Sequence, residues 1–155
     1  MAVGSRDISS IKGHNKAELY FNSTSSWKSL ASYPFYEQVW DFQILAHSDF
    51  FTVFGGLAKD DVSLTSFKAT NIIAKFSPAL NQWIKLGSLQ YARHAFGVTE
   101  NDKKFLVIGG YASKPTEMCE LKNNALNCKS RNPTLYDFYY FPALMTVSSD
   151  FANYC

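Results

Sequence analysis

Apolar and polar positions alternate along this chain in short runs, each closed by turn-forming residues, and no run sustains the 3.6-residue period of an amphipathic helix. Residues 17–21 and 27–30 read as a hairpin around Asn22-Ser23-Thr24-Ser25. A strand over 38–46 follows, then one over 50–55 after the His47-Ser48-Asp49 turn. The next pair, 71–76 and 82–86, joins through Pro78-Ala79-Leu80-Asn81. Strands over 95–99 and 104–109 turn at Asn101-Asp102, and 116–121, 126–129, 139–147 and 151–154 complete the set. The pattern predicts an all-β chain, with a poorly structured segment over residues 1–16 ahead of a folded unit over 17–155.

Two of these runs are near copies. Phe51-Thr52-Val53-Phe54-Gly55-Gly56 and Phe105-Leu106-Val107-Ile108-Gly109-Gly110 both end in paired glycine. Each follows a tryptophan: Trp27 and Trp83 stand 56 apart, and Gly55 and Gly109 stand 54 apart. A period near 50 built from an apolar strand, Gly-Gly and Trp is a propeller-type repeat. Tyr20 precedes Trp27 by seven residues, Phe76 precedes Trp83 by seven, and Leu121 precedes Cys128 by seven, so a cysteine stands where a third tryptophan is due. Ser149-Asp150-Phe151 mirrors Ser48-Asp49-Phe50, which places the next glycine just past Cys155. About three blade equivalents of four antiparallel strands result, and propellers close with four to eight, so the pattern predicts an incomplete propeller.

The second copy is the fullest: Asn81-Gln82-Trp83-Ile84-Lys85-Leu86, then Leu89 and Tyr91-Ala92-Arg93-His94, then Phe105 to Gly110. With its tryptophan, following arginine and glycine-ended strand it resembles the kelch repeat. The first copy keeps Trp27, Gly55 and Gly56 but carries Glu37 where Arg93 stands in the second. The third has neither Trp nor Gly-Gly. The resemblance runs from about residue 17 to 154 and implies a kelch-type β-propeller segment. Its repeat residues are Trp27, Gly55, Gly56, Trp83, Arg93, Gly109 and Gly110.

Composition agrees with strands: aromatics are 16% of the 155 residues, with 13 Phe and 9 Tyr. The net charge of +2 and the lack of a Lys/Arg run give no basis for nucleic-acid binding. No apolar stretch approaches the roughly 18 residues of a membrane-spanning helix. The opening residues Met1 to Ile8 lack the apolar centre of a secretory leader, which points to the cytoplasm if the chain is whole.

Cysteine chemistry points the other way. If Asn123-Asn124 form a two-residue turn, Cys119 lies directly opposite Cys128 in a non-hydrogen-bonded pair, within reach of a disulfide. Two reduced, packed thiols are the alternative. Asn22-Ser23-Thr24 is an N-glycosylation acceptor on an exposed turn. Together these tilt the compartment toward the extracellular side. The odd cysteine, Cys155, reads as a terminal strand residue or a partner for another segment.

His14, His47 and His94 sit in or beside turns of different repeats, and nothing in their spacing aligns them as metal ligands. Propeller oxidases bind copper through His and Tyr, a set that cannot be placed on residues here. No nucleophile motif or phosphate loop is present. The sequence therefore reads as a non-enzymatic scaffold without cofactor or metal, binding a protein partner of unknown identity. The resemblance implies that connections at the blade ends form the contact surface, which makes that from Leu57 to Thr70, with Asp60 and Asp61, and that from Arg131 to Asp137 its candidate contacts. The aromatic cluster Tyr136 to Pro142 reads as blade core and its edge, with an exposed binding patch as the alternative. Two alternatives stand beside this reading: a fragment of an oxidase-type propeller enzyme, and a half-propeller completed by self-association.

Overall fold

A computed structural model describes residues 2–6, 13–59, 66–111 and 114–131. Among them are fourteen strands and no helix. In chain order these are β1 (Ala2–Arg6), β2 (Gly13–Phe21), β3 (Ser26–Leu30), β4 (Gln38–Trp40), β5 (Gln43–Ala46), β6 (Phe51–Phe54) and β7 (Leu57–Lys59). There follow β8 (Lys68–Ala69), β9 (Ile72–Ser77), β10 (Gln82–Ser88), β11 (Phe96–Asn101), β12 (Lys104–Gly109), β13 (Glu117–Lys122) and β14 (Ala125–Ser130). The fold is all-β.

Two four-stranded antiparallel blades, β5-β6-β9-β10 and β11-β12-β13-β14, meet at their outer strands to make one eight-stranded sheet. A three-stranded sheet, β1-β2-β3, precedes them, and a small sheet, β4-β7-β8, stands apart. Because side chains alternate across a strand, the middle blade presents apolar residues on both faces. Val53 and Ala74 face Tyr33, Val39 and Ala17 on one side. Their neighbours Phe54 and Ile73 face Phe96, Phe105 and Val107 of the last blade on the other. A sheet buried on both faces reads as a continuous apolar run, which is why Phe51 to Phe54 shows so little alternation.

The repeat carries one cross-strand pair at the same place in each outer hairpin. Tyr20 pairs with Trp27, ring centroids 5.3 Å apart, and Phe76 with Trp83 at 4.8 Å. In the last blade the place is taken by Cys119 and Cys128, joined as a disulfide with their Cα atoms 3.9 Å apart. The seven-residue spacing equates Leu121 with Phe76, and the structure corrects this. Asn123 and Asn124, both at positive φ, make a two-residue turn where the other hairpins use four. Leu121 therefore pairs with Leu126, and Phe76 matches Cys119, each opposite the first phenylalanine of the neighbouring strand (Phe51 and Phe105).

Adjacent sheets are joined in two ways at equivalent positions. At the first junction Trp83 Nε1 donates to the Ala31 carbonyl at 2.7 Å, and the Ala31 amide donates to Asn81 Oδ1 at 2.8 Å. At the second, Gly87, four residues after Trp83 as Ala31 is after Trp27, pairs directly with Leu126, two before Cys128 as Asn81 is before Trp83. Side chains clamp the first junction, and backbone zips the second. The closer approach requires glycine: a Cβ on Gly87 would lie 2.3 Å from the Leu126 carbonyl oxygen.

Three expectations change. The run 38–46 is broken into β4 and β5 at Asp41, whose φ of 53° turns the chain out of the sheet. The two ends of the connection from Leu57 to Thr70 are strands: β7 and β8 pair with each other, and β7 pairs with β4. Residues 1–16 are not uniformly unstructured, since β1 pairs with β2 and covers a sheet edge that would otherwise stand open. The strands expected over 139–147 and 151–154, and Cys155, lie outside the described residues.

Trp83 is half-buried against Tyr33 and Phe76, whereas Trp27 is 58% exposed. Trp83→Ala is expected to cost about 3 kcal/mol in denaturant unfolding, and Trp27→Ala less than about 0.5 kcal/mol. Gly87→Ala should cost about 1–3 kcal/mol by overpacking the second junction. Equal losses for the two tryptophan variants would refute the distinction between them.

Candidate functional site

The connection from β10 to β11 is densely tied by hydrogen bonds. Arg93, fully buried, donates from Nη1 to the Gly109 carbonyl at 2.9 Å and from Nη2 to the Pro115 carbonyl at 2.8 Å. Nη2 also reaches Glu117 Oε1 at 2.5 Å. Glu117 accepts in addition from the amides of Gln90 at 2.6 Å and Tyr91 at 3.1 Å. Burial pulls the Arg93 pKa down, and the Glu117 charge and hydrogen bond oppose that. The pair is thus a charged plug with hydrogen bonds on both sides, the arrangement that offsets the desolvation of two buried ions.

The paired glycines belong to the same device. Gly56 donates its N–H to the Arg93 carbonyl at 2.9 Å, and the Arg93 N–H donates to the Thr70 carbonyl at 3.1 Å. Gly56 has φ +112°, a conformation that side chains rarely adopt, and a Cβ there would lie 2.8 Å from the Trp40 carbonyl oxygen. In the other pair, a Cβ on Gly110 would lie 3.0 Å from the His94 carbonyl oxygen. Arginine and both glycine pairs, far apart in sequence, meet around one turn of backbone. At the first junction the matching residue, Glu37, is exposed, and the chain runs on into β4.

A cleft of about 640 Å³ opens between the two blades at the opposite end of their strands. Its floor includes Phe50, Phe105 and Leu126, and its rim Lys75, Glu100 and Lys103. His47, in the turn between β5 and β6, crosses from one blade to the other. Its ring stacks on Phe50 at 4.0 Å, Nε2 lies 2.9 Å from Thr52 Oγ1, and Nδ1 lies 3.2 Å from Glu100. Because a carboxylate only accepts, the neutral ring carries its proton on Nδ1, and Nε2 accepts from the threonine hydroxyl. Burial lowers the His47 pKa below its ordinary 6.5, against the pull of Glu100 and Asp49 and with help from Lys75.

Threonine, histidine and glutamate in this order have the connectivity of a nucleophilic relay. Thr52 lines the cleft but has 0% exposure, so its hydroxyl is turned onto His47 and not toward solvent in this conformation. The trio fastens one blade to the next.

Glu117, Cys119 and Cys128 also come within metal-binding distance of one another. The two sulfurs are bonded to each other and the carboxylate is held by Arg93, so the oxidised hairpin has no ligand set to offer.

The structure places Arg93, Gly55, Gly56, Gly109 and Gly110 together and pairs Cys119 with Cys128. It leaves Trp27 on an outer face and Asn22 exposed in its hairpin turn. Asp60 and Asp61 lie outside the described residues. His94 is 3.6 Å from Asp41 and stacks on Tyr111 near the glycine end, remote from His47. Glu117 and the His47–Glu100 contact are absent from the sequence reading. Glu117 stands where the middle blade has Ala74, each opposite the valine of its neighbouring strand. A charged residue on an apolar strand face, two before Cys119, was the available signal.

Arg93→Met should lower stability by about 3–5 kcal/mol by leaving Glu117 buried and unpaired. Adding Glu117→Gln should recover part of that loss, a coupling that a double-mutant cycle reads directly. For His47 the folded pKa lies below the unfolded one, so its contribution is fully present above pH 6.5 and is lost as pH falls toward the depressed value. Melting temperature should therefore drop on acidification from pH 7.5 to 5.5, and His47→Gln should flatten that slope. An unchanged slope would remove His47 as the cause.

No family model matches this chain. Among solved structures it is similar to that of YjhT, at 15% identity, with a TM-score of 0.58 over 72% of this chain and 42% of the other. The chain thus corresponds to less than half of that protein's length, and at this identity the likeness is one of fold.

Proposed function

We propose that this chain is part of a kelch-type scaffold that acts by binding another protein rather than by catalysis. The observation that carries the reading is the outer face of the β2–β3 hairpin. Trp27 and Tyr20, at 58% and 42% exposure, pack against each other there with their rings tilted by 55°. Large aromatics exposed side by side on a rigid sheet are costly to leave in water and are the residues that dominate protein contacts. Their counterparts one blade on, Phe76 and Trp83, are already engaged with a neighbouring chain segment.

The disulfide and the exposed Asn22 acceptor favour an oxidising compartment, where such a hairpin stays bridged. In that setting a glycan on Asn22 would stand at the hairpin tip. The extended connection around Asp60 and Asp61 stays a second candidate contact.

The test uses a photo-crosslinking residue at Ser29, which shares the Trp27 face of β3, and at Lys129 on β14 as control. A discrete protein adduct at position 29, lost in a Trp27→Ala background and missing at 129, is the expected result. No adduct at 29, or one indifferent to Trp27→Ala, would sink the proposal.

A further inference from the structure

We infer that the Trp27 face repeats the clamp that joins the first two sheets, and that it takes an extended peptide of the pattern small residue, any residue, aromatic. The inference deepens the protein-binding reading and rests on it. At the occupied clamp, three groups hold one segment. Asn81 Oδ1 accepts from the Ala31 amide, Trp83 Nε1 donates to the Ala31 carbonyl, and the Tyr33 ring meets Trp83 edge-on at 5.1 Å and 86°. One residue is gripped through both its backbone groups, and the aromatic two positions later fixes the direction of the chain.

The β2–β3 hairpin repeats each part on the same side of the sheet. Trp27 corresponds to Trp83 and Tyr20 to Phe76 by their identical cross-strand pairing around four-residue turns. Ser25 corresponds to Asn81: each lies two residues before its tryptophan and each is held at positive φ, 48° and 50°. The serine hydroxyl supplies an acceptor where the asparagine amide does, and the exposed indole N–H of Trp27 supplies the donor. Leu30 and Ala17, on the opposite side of this hairpin, pack toward the middle blade, so Trp27 and Tyr20 point away from it.

The occupant's chemistry follows from what the filled clamp holds. The gripped residue is small, alanine at one junction and glycine at the equivalent place of the next. Its backbone must be free of other strand partners, as Ala31 is just past β3. The aromatic at the third position completes the edge-on contact. The Ala31 to Tyr33 segment of a second copy does not meet the requirement, because there Ala31 is clamped and Tyr33 is fully buried.

The experiment labels the protein with 5-fluorotryptophan and titrates the blocked peptide Lys-Ser-Leu-Ala-Ser-Tyr-Pro-Phe, the sequence of residues 28–35, reading the three indoles by fluorine NMR. The Trp27 resonance should move and saturate, with half-saturation between about 10 μM and 1 mM, while those of Trp40 and Trp83 stay in place. Replacing the peptide tyrosine by alanine should weaken binding at least tenfold. A Trp27 resonance that does not move at millimolar peptide, or one that moves equally for the alanine peptide, overturns the inference. If the Ser29 crosslink nonetheless forms, the protein-binding reading stands and only the clamp chemistry falls.

Discussion

A strong base held where no water reaches it sets the terms for the rest of this molecule. Arg93 carries its charge between two blades, and the cost of removing it from solvent is offset only if its two terminal nitrogens reach acceptors, Glu117 among them, since its buried Nε has none. Meeting that condition fixes much of the backbone around it: the end of β12, the segment before β13 and the turn at Gln90 and Tyr91 all lie where the pair needs acceptors and donors. The glycines follow from the same constraint, since strands that must end against the Arg93 backbone have no room for a side chain. Charge, glycine and turn are one solution to one packing problem.

The blades meet in different ways on the two faces of the middle blade. At one, tryptophan and asparagine side chains reproduce the two hydrogen bonds that a parallel strand would make. At the other, no tryptophan intervenes and the strands themselves come within bonding distance, with Gly87 conceding the space. Loss of the tryptophan also removes the aromatic pair that stiffens the other hairpins, and the disulfide stands in that place. The disulfide and the glycine therefore stand together at the junction that has no tryptophan.

Much of this was legible in the residues. Alternation located the four strands of each blade, and the Asn-Asn turn placed Cys119 opposite Cys128. The double glycines marked strand ends that meet other backbone. What the sequence concealed was mostly a matter of partners distant in the chain. Glu117 carries no local sign of its ion pair beyond being a charge where Ala74 sits in the preceding repeat. His47 reads as an ordinary turn residue because Glu100 lies in another blade. The exposure of Trp27 was equally hidden: repeat spacing gives it the role of Trp83, but burial depends on what lies across the face, and spacing is silent on that. The extra sheet β4-β7-β8 was missed because its strands have two or three residues each, too short for any periodicity to register.

The two kinds of junction also differ in how they resist bending. A seam of backbone hydrogen bonds, reinforced by the buried Arg93 plug and the His47 bridge, loads several bonds at once when the last blade is pulled against the middle one. At the first junction the two side-chain bonds on Ala31 stand beside an apolar face, where Ala17, Tyr33 and Val39 pack on Val53 and Ala74. Load across one seam therefore falls on directional bonds, and across the other chiefly on apolar contact, which has no preferred direction.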